Sequence, residues 1–508
     1  MNDFFFISDL FYSDGYIGGA ERCDDVLIQE LLDIKYNNRV RKINSNNLNI
    51  QILEQNTNST FIISNFMLLS EKVKQYLIEN NIDYIIIEHD HKYVKSNDPS
   101  IYRENLSNEE GLQNIDFYKK ARAVLCQSTM HSETLYKNLL LNNIVNLKGN
   151  LWSECDLDLL QTKLNNSPNC SDRKISWGVL NSKNKNKGVL STVDYCNRNK
   201  IKYQYIGSNS YADFLQQVSE CKGIIFFPQW MESFNRFCVE ARVLNCKLKI
   251  NQKVGASSDG WLNLKGQELL DKVRSEKVRI LSVYEKILNK QQFDNFSIQL
   301  PRVSIMTTFV DAEKYIEGFL QHIEKQTIFN EIDLFMYEAD YNGEKSKIID
   351  YYQKKYSNIH YMNNTKRIGA SEAFNIIMKK SSNDFMGLIS IDDRPAPNYA
   401  EKLRKYLLFS KADLVYGDCV QTQKENDVVG DSFYKSHNLY EHSLKDFSRE
   451  NMIKCLPGPM PMFKLSMIER SGDFDTNFKH SNDWELWLRC VNDGSEFFKV
   501  HDRVGLYY

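Results

Sequence analysis

The sequence predicts an α/β protein whose parallel sheets are covered by helices on both faces. Short apolar runs such as Tyr84–Ile87 are continuous rather than alternating, which is typical of strands buried on both sides. Amphipathic stretches separate these runs, as strand–helix–strand units require. With 508 residues and 42% hydrophobic content, the chain is long enough for about two to four domains with large cores.

A first module is predicted over residues 1–165. It starts with a buried strand, continues through a glycine-containing loop at 13–20, and enters a helix that includes 26–32. Its predicted strands are 4–7, 60–63, 84–87 and 123–126. Strands that alternate with helices in this way favour a Rossmann-like parallel sheet.

A second Rossmann-like module is predicted over 170–295, after a polar linker at 165–169. Its predicted strands are 175–180, 203–207 and 223–228. A third module, also Rossmann-like, is predicted over 300–508, because a polar run at 290–295 precedes it and six of the nine prolines lie at 301 or later. Its first strand is predicted at 303–308.

Composition limits the classes of function and the compartment. The 64 Lys and Arg nearly balance the 66 Asp and Glu, which disfavours a nucleic-acid partner without excluding one. No apolar run approaches the length of a transmembrane helix, and the N-terminus has no basic signal-peptide region. The 11 cysteines form no CxxC pair, so we expect reduced thiols and a cytoplasmic protein.

Two adjacent carboxylates, Asp392 and Asp393, end an apolar run in the third module, and Pro395 then stops the strand. Like charges side by side repel, and oxygen ligands at a strand end suit Mg²⁺ or Mn²⁺. The alternative is a solvated turn with two acids. Because the rest of the module carries matching chemistry, we predict a metal site at Asp392 and Asp393.

Cations and a helix start precede this pair in the sequence. Lys366 and Arg367 come just before Gly369, which opens a predicted amphipathic helix. A helix N-terminus with nearby cations is a binding site for a diphosphate. Thr308, at the end of the first strand, adds a small polar group to the same predicted site.

The order of these blocks resembles the inverting family-2 glycosyltransferases of the GT-A fold. A Pro-Gly-Pro turn at 457–459 and the Asp-Trp pair at 483–484 complete the resemblance, which covers about 300–508. It implies a nucleotide-sugar donor, a Mn²⁺ or Mg²⁺ cofactor, and Asp483 as the base that activates an acceptor hydroxyl. The donor-binding residues it implies are Thr308, Glu338, Asp340, Lys366, Arg367, Ser390, Asp392 and Asp393.

The third module also departs from the family pattern. Ser390 stands where the first aspartate of the metal motif is usual, and the helix after Gly369 lacks the usual arginine at Phe374. For Asp483, the alternative role is a helix cap, because Asp is a favoured capping residue.

The first two modules together resemble the retaining family-4 glycosyltransferases of the GT-B fold. The Gly-Gly-Ala-Glu loop at 18–21 and the pair Glu232 and Glu240, with seven residues between them, carry the resemblance. If helical throughout, the two acids would lie about 12 Å apart along the axis. The donor-binding residues implied for this part are Gly18, Gly19, Lys187, Glu232, Arg236 and Glu240. The family's phosphate-binding arginine is absent, and Asn181 stands there.

Three further residues are predicted as sugar or acceptor contacts. His89 and His91 follow the strand that ends at Ile87, where ligands of parallel sheets bind. A metal site formed by the run His89-Asp90-His91 is disfavoured because adjacent residues of an extended chain point to opposite faces. Trp484 offers an aromatic ring beside Asp483.

The sequence therefore predicts a bifunctional glycosyltransferase, with a metal-dependent inverting GT-A module and a metal-independent retaining GT-B module. The acceptor would be a glycan or another hydroxyl compound. Three alternatives stay open: only the GT-A module is active and the remainder is a scaffold or acceptor-binding domain; the whole is a non-catalytic carbohydrate-binding protein; or the acceptor is a modified nucleic-acid base.

Overall fold

A computed structural model describes residues 3–15, 18–33, 40–102, 111–168, 170–208, 210–296, 300–341, 343–436, 438–440 and 445–508. Tyr16 and Ile17 of the predicted glycine loop, and Asn169 of the predicted linker, lie outside the described residues. The described residues form two units, one up to residue 296 and the other from residue 300 onwards. An α/β architecture is confirmed in both, with parallel sheets in the first unit and a mixed sheet in the second.

The first unit begins with a six-stranded sheet in the order β2-β1-β3-β4-β5-β6. All neighbouring strands in it are parallel. The strands are β1 (Phe4–Ser8), β2 (Val40–Asn44), β3 (Thr60–Ile63), β4 (Tyr84–Ile87), β5 (Val124–Cys126) and β6 (Ile144–Asn146). Strand order reverses between β1 and β3, which opens a crevice at the carboxyl ends of these strands.

The second sheet of this unit has four parallel strands in the order β10-β9-β7-β8. The strands are β7 (Ile175–Leu180), β8 (Gln204–Ile206), β9 (Cys221–Phe226) and β10 (Lys247–Ile250). Again the order reverses, here between β7 and β9. The second sheet therefore repeats the arrangement of the first.

Ten α-helices of the first unit pack around the two sheets within the described residues. They are α1 (Gly19–Leu27), α2 (Ile50–Gln55), α3 (Glu71–Glu79), α4 (Ile115–Lys120), α5 (Thr129–Leu139), α6 (Glu154–Asn165), α7 (Val189–Arg198), α8 (Tyr211–Ser219), α9 (Arg236–Val243) and α10 (Gly266–Leu288). The first half of α10 packs in the core of the second sheet through Leu269 and Val273. Its second half packs against the first sheet through Ile280 and Tyr284, so this helix joins the two cores.

The second unit contains an eight-stranded mixed sheet in the order β13-β12-β11-β14-β17-β16-β18-β15. The strands are β11 (Val303–Phe309), β12 (Ile332–Glu338), β13 (Ile359–Asn363), β14 (Phe385–Leu388), β15 (Arg394–Pro395), β16 (Leu414–Gln421), β17 (Met462–Lys464) and β18 (Phe497–Tyr507). Strands β11 to β14 run parallel, while β17 is antiparallel to both of its neighbours.

Helices cover this sheet as well. They are α11 (Glu313–Glu324), α12 (Lys347–Lys355), α13 (Ala370–Lys380), α14 (Tyr399–Phe409), α15 (Asp431–Lys435), α16 (Leu465–Ser471) and α17 (Asn482–Asn492). Apolar clusters fill both faces of the sheet, one around Ile305 and Leu403 and the other around Met306 and Trp487.

The sequence did not reveal β2, β6 and β10. All three lie at sheet edges, where a strand does not need two apolar faces, and β2 and β10 carry exposed Arg41 and Lys247. The predicted helix over 26–32 is an α-helix only to Leu27, after which residues 28–33 are a π-helical segment. The assumption of one helix from Glu232 to Glu240 is wrong, because α9 begins at Arg236.

The packing of α10 makes a prediction about stability. Ile280 is fully buried, and its Cδ1 lies 2.9 Å from where a Cβ on Gly149 would stand. Ile280→Ala should therefore lower the free energy of unfolding of this unit by about 2–5 kcal/mol. Val278→Ala is the matched control, because Val278 lies on the same helix and is 69% exposed. Urea titrations followed by tryptophan fluorescence measure both; equal midpoints would contradict the packing.

Candidate active site

The carboxyl ends of β11, β12, β13 and β14 meet at one edge of the third sheet because these strands are parallel. Strand order reverses between β11 and β14, so the loops after these two strands separate and leave a crevice. The predicted donor-binding residues of this unit lie at the ends of these strands or in the loops that follow them. They are Thr308, Glu338, Asp340, Lys366, Arg367, Ser390, Asp392 and Asp393.

Backbone hydrogen bonds hold two of these loops together. The Ile368 N–H donates to the Ala339 carbonyl at 3.0 Å, and the Tyr341 N–H donates to the Asn364 carbonyl at 3.0 Å. Glu338 accepts a hydrogen bond from the Tyr361 hydroxyl. The loop after β12 therefore has a fixed position beside the loop after β13.

Positive charge gathers where α13 begins. Lys366 and Arg367 are exposed, and Arg367 lies 3.6 Å from Asp340 in an open ion pair. Gly369 precedes the helix and offers no capping side chain, so the first N–H groups of α13 are free of a side-chain cap. This end of the helix is suited to a phosphate group.

The acid pair after β14 is only partly open to solvent. Ser390 is exposed and Asp392 is half-buried, but Asp393 is only 1% exposed. Asp393 Oδ1 accepts the Tyr508 N–H at 3.2 Å, and its Oδ2 is buried without a hydrogen-bond donor among the described residues. Burial and the neighbouring Asp392 carboxylate raise the pKa of Asp393 well above its ordinary value.

These residues fit a hard divalent cation. A buried carboxylate oxygen without a donor, beside a second carboxylate, is an arrangement that a cation would stabilise. The described residues contain no group of three or more His, Cys, Asp or Glu side chains that could hold a metal. A Mg²⁺ or Mn²⁺ ion here would therefore complete its shell with water and phosphate oxygens, as Mg²⁺ commonly does.

Arg394 fixes the backbone of the acid turn and leaves the carboxylates unpaired. Its guanidinium is 1% exposed and donates to the carbonyls of Ile391 at 3.0 Å and Asp393 at 2.7 Å. It also donates to the Asn426 side chain at 2.5 Å. The arginine thereby orients the turn without forming an ion pair with either acid.

Asp483 is the second residue of α17, whose N-cap is Ser481. Asn482 ties this end of the helix to α13, because its side-chain amide donates to the Ser371 hydroxyl at 2.8 Å. The half-buried carboxylate of Asp483 accepts a hydrogen bond from the Cys455 thiol at 3.4 Å. Ser481 holds the capping position, so the side chain of Asp483 is available for another role.

Two tyrosines link Asp483 to the acid pair. The rings of Tyr440 and Tyr507 pack with centroids 4.8 Å apart. Burial, Tyr507, Cys455 and the Asp483 charge raise the pKa of Tyr440 to about 12. Burial and the charges of Asp393 and Asp392 raise the pKa of Tyr507. The charges of the predicted base and of the predicted metal ligands thus act on the two members of one tyrosine pair, which the sequence did not indicate.

Trp484 contacts the same segment of the chain as Asp483, because its indole N–H donates to the Met452 carbonyl at 2.9 Å. It also lines a cavity of about 690 Å³ with Phe478 and Leu488. At 3.6 residues per turn, Trp484 is rotated from Asp483 by about 100° around the axis of α17. The ring of Trp484 thus faces this cavity beside the predicted base.

The first unit has a polar cavity of about 360 Å³ between its two sheets, lined among others by Gly19, Glu21, His89, Lys187, Glu232 and Arg236. Gly18 is the N-cap of α1 beside it. The Lys187 ammonium lies 2.9 Å from both carboxylate oxygens of Glu232. Most residues predicted for this part are thus brought together.

Arg236 faces this cavity with an incomplete set of partners. Its Nη2 donates to Asp156 at 2.9 Å, and its Nε lies 3.4 Å from Glu240. Its Nη1 is buried without an acceptor among the described residues. A buried guanidinium nitrogen without a partner favours an anionic ligand.

Glu240 does not reach the cavity. It is 4% exposed and accepts hydrogen bonds from the Trp152 indole at 3.0 Å and the Tyr211 hydroxyl at 2.8 Å. Its carboxylate therefore stabilises the surrounding core through these two hydrogen bonds, and Glu240 is not part of the cavity lining.

The two predicted histidines have different surroundings. His89 Nε2 lies 3.1 Å from Asp24 Oδ1, and Ser64 donates to the same carboxylate at 2.6 Å. Burial lowers the pKa of His89, but Asp24 outweighs it and the pKa is raised. His91 packs against His131 with ring centroids 4.5 Å apart and is not part of the cavity lining. The sequence analysis missed Asp24, which lies on α1 three residues after Glu21 and is buried.

A comparison with known proteins found a family that matches part of the second unit. Residues 304–472 match the family described as Glycosyl transferase family 2. An uncharacterized glycosyltransferase of Methanocaldococcus jannaschii is 24% identical over 199 residues, which are 39% of this chain and 67% of that protein.

The solved structures that the comparison matched include S. aureus TarS with UDP, at 13% identity and a TM-score of 0.34 over 41% of this chain and 60% of that one. A mannosyltransferase from Pyrobaculum calidifontis, solved with GDP-Man and Mn²⁺, has 15% identity and a TM-score of 0.33 over 45% and 64%. This chain thus spans about three fifths of the length of these two proteins.

Residues 304–472 of the second unit thus resemble glycosyltransferase family 2, and these matches support the prediction of a nucleotide-sugar-dependent transferase. The family-4 resemblance of the first unit has no counterpart in these matches. Within the described part of the chain, no helix has the length and apolar character needed to cross a bilayer.

The acid pair makes a prediction about pH. Because the pKa of Asp393 is raised in the folded protein, its contribution to stability is present below about pH 4, its unfolded pKa, and is lost as pH rises through the folded pKa. In chelator, Asp393→Asn should therefore raise the melting temperature relative to wild type at pH 7.5 and lose this advantage near pH 4. Asp384→Asn, at an exposed acid, is the control. An Asp393→Asn variant without gain at pH 7.5 would contradict the buried-charge account.

Proposed function

We propose that the second unit transfers a sugar, with inversion, from a nucleoside-diphosphate donor to a hydroxyl group of a glycan or similar acceptor. The donor would lie along the carboxyl edge of the sheet. Glu338 and Asp340 would contact the nucleoside, while Lys366, Arg367 and the start of α13 would receive the diphosphate.

Asp392 and Asp393 would hold Mg²⁺ or Mn²⁺ at the diphosphate. When bound, such an ion neutralises the charge that develops on the leaving group. Asp392 is half-buried and borders the crevice, and Asp393 contributes the buried oxygen that lacks a donor. Arg394 keeps both residues at the turn through its bonds to the backbone carbonyls.

Asp483 would act as the general base. Its carboxylate takes the proton of the acceptor hydroxyl, whose oxygen forms the new bond to the anomeric carbon while the bond to the diphosphate oxygen breaks. Attack from the face opposite to the leaving group gives inversion. The observation that carries this proposal is the hydrogen bond from Asn482 to Ser371, which holds the start of α17, and with it Asp483, beside the start of α13.

Asp483→Asn should lower turnover by about 10²–10⁴-fold, the usual contribution of a positioned base. Donor binding should be nearly unchanged, because the carboxylate does not contact the diphosphate. Turnover is measured as nucleotide release from a panel of sugar nucleotides with Mn²⁺, and binding by calorimetry with UDP and GDP. Glu485→Gln on the same helix is the control, since its carboxylate pairs with Arg489 away from Cys455. Normal turnover in Asp483→Asn would make this residue a structural one.

We further propose that the first unit is a second, metal-independent transferase of the retaining type, so that the chain is bifunctional. Arg236 Nη1, Lys187 and the start of α1 support an anionic donor in its cavity. Glu232 and His89 would then contact the donor sugar. The alternative is an acceptor-binding scaffold, which Asn181 in place of a phosphate-binding arginine favours.

This second proposal is tested in the full chain with Asp483→Asn present, so that the second unit is silent. We expect residual nucleotide release in the presence of chelator, and its loss on Arg236→Met, because the buried anion contact disappears. Lys249→Met, a substitution outside the cavity lining, is the control. Absence of any chelator-resistant release with every donor would support the scaffold.

A further inference from the structure

The segment that precedes the Pro-Gly-Pro turn is attached to the first turn of α17 at two points. The Trp484 indole donates to the Met452 carbonyl at 2.9 Å, and the Cys455 thiol donates to Asp483 Oδ2 at 3.4 Å. The turn itself holds Cys455 in place, because the Gly458 N–H donates to the Cys455 carbonyl at 3.2 Å and Gly458 adopts φ 67°. A left-handed residue is needed here, and glycine provides it without strain.

The thiol and the carboxylate affect each other. Burial and the Asp483 charge raise the pKa of Cys455 above its ordinary value, so the sulfur keeps its proton and acts as the donor. Tyr440 is the other titratable group against this pair, and its pKa is also raised. Among the described residues, Asp483 Oδ1 receives no side-chain hydrogen bond, so only one carboxylate oxygen is fixed.

We propose that Cys455 is a positioning residue for Asp483: its thiol fixes Oδ2 and leaves Oδ1 directed to the acceptor hydroxyl. This inference rests on the proposed role of Asp483 as the base. A hydrogen bond to one oxygen of a carboxylate restricts the rotation of the group. Cys455 would therefore set the orientation of the base.

The first experiment compares Cys455→Ala and Cys455→Ser with wild type. Cys455→Ala should lower kcat by about threefold to tenfold, the effect of one hydrogen bond, with the donor KM unchanged. Cys455→Ser should restore kcat, since a hydroxyl also donates. Wild-type kcat in Cys455→Ala, a change in the donor KM alone, or serine behaving as alanine would overturn the proposal.

A second measurement needs no activity. Loss of the Asp483 charge lowers the pKa of the Cys455 thiol, and each pKa unit changes the thiolate fraction about tenfold. Asp483→Asn should therefore speed alkylation of Cys455 by iodoacetamide at pH 8, measured by peptide mass spectrometry, while exposed Cys155 reacts at an unchanged rate. Equal rates for Cys455 in both proteins would contradict the contact. If the wild type is inactive with every donor, the proposed function fails, and this rate still decides whether the thiol and carboxylate are coupled.

Discussion

The reversal of strand order between β11 and β14 is the constraint on which the candidate site depends. Parallel strands end at the same edge, so the polar loops after β11, β12, β13 and β14 must lie side by side. Open α/β sheets bind their ligands at such a reversal, outside the carboxyl ends of the strands. The later strands β16 and β18 then bring Tyr440 and Tyr507 to the acid pair, because Tyr440 donates its N–H to Cys419 of β16 and Tyr507 ends β18.

The acid pair and Asp483 carry negative charge that no basic side chain among the described residues neutralises. Arg394 lies beside the acid pair but donates to backbone carbonyls, and the described residues leave Asp393 Oδ2 without a donor. Asp483 likewise receives only a weak thiol donor. Such arrangements destabilise the free protein and are expected where a cation and a proton must be bound during the reaction. The first unit shows the opposite case at Glu240, whose buried carboxylate is satisfied by Trp152 and Tyr211.

The sequence alone was sufficient to predict features that depend on residues close together in the chain. Asp392 and Asp393 could be assigned to a strand end because an apolar run precedes them and prolines follow, and the start of α13 at Ala370 followed from its apolar spacing. Features that depend on packing between distant segments were not accessible. Cys455 contacts Asp483 because α17 packs beside its segment, and the two residues are 28 positions apart. The sequence suggested a ligand-binding role for Glu240, but in the structure its carboxylate accepts a hydrogen bond from Trp152, which lies 88 positions earlier.

Anomalous diffraction from Mn²⁺ in crystals grown with UDP or GDP tests the central claim most directly. The account predicts a Mn²⁺ peak about 2 Å from a carboxylate oxygen of Asp392, with the diphosphate between this ion and the start of α13. Asp483 should then border the open side of the same crevice, across the Tyr440–Tyr507 pair. A nucleotide bound elsewhere on this unit, with Asp392 free of metal at saturating Mn²⁺, would contradict it.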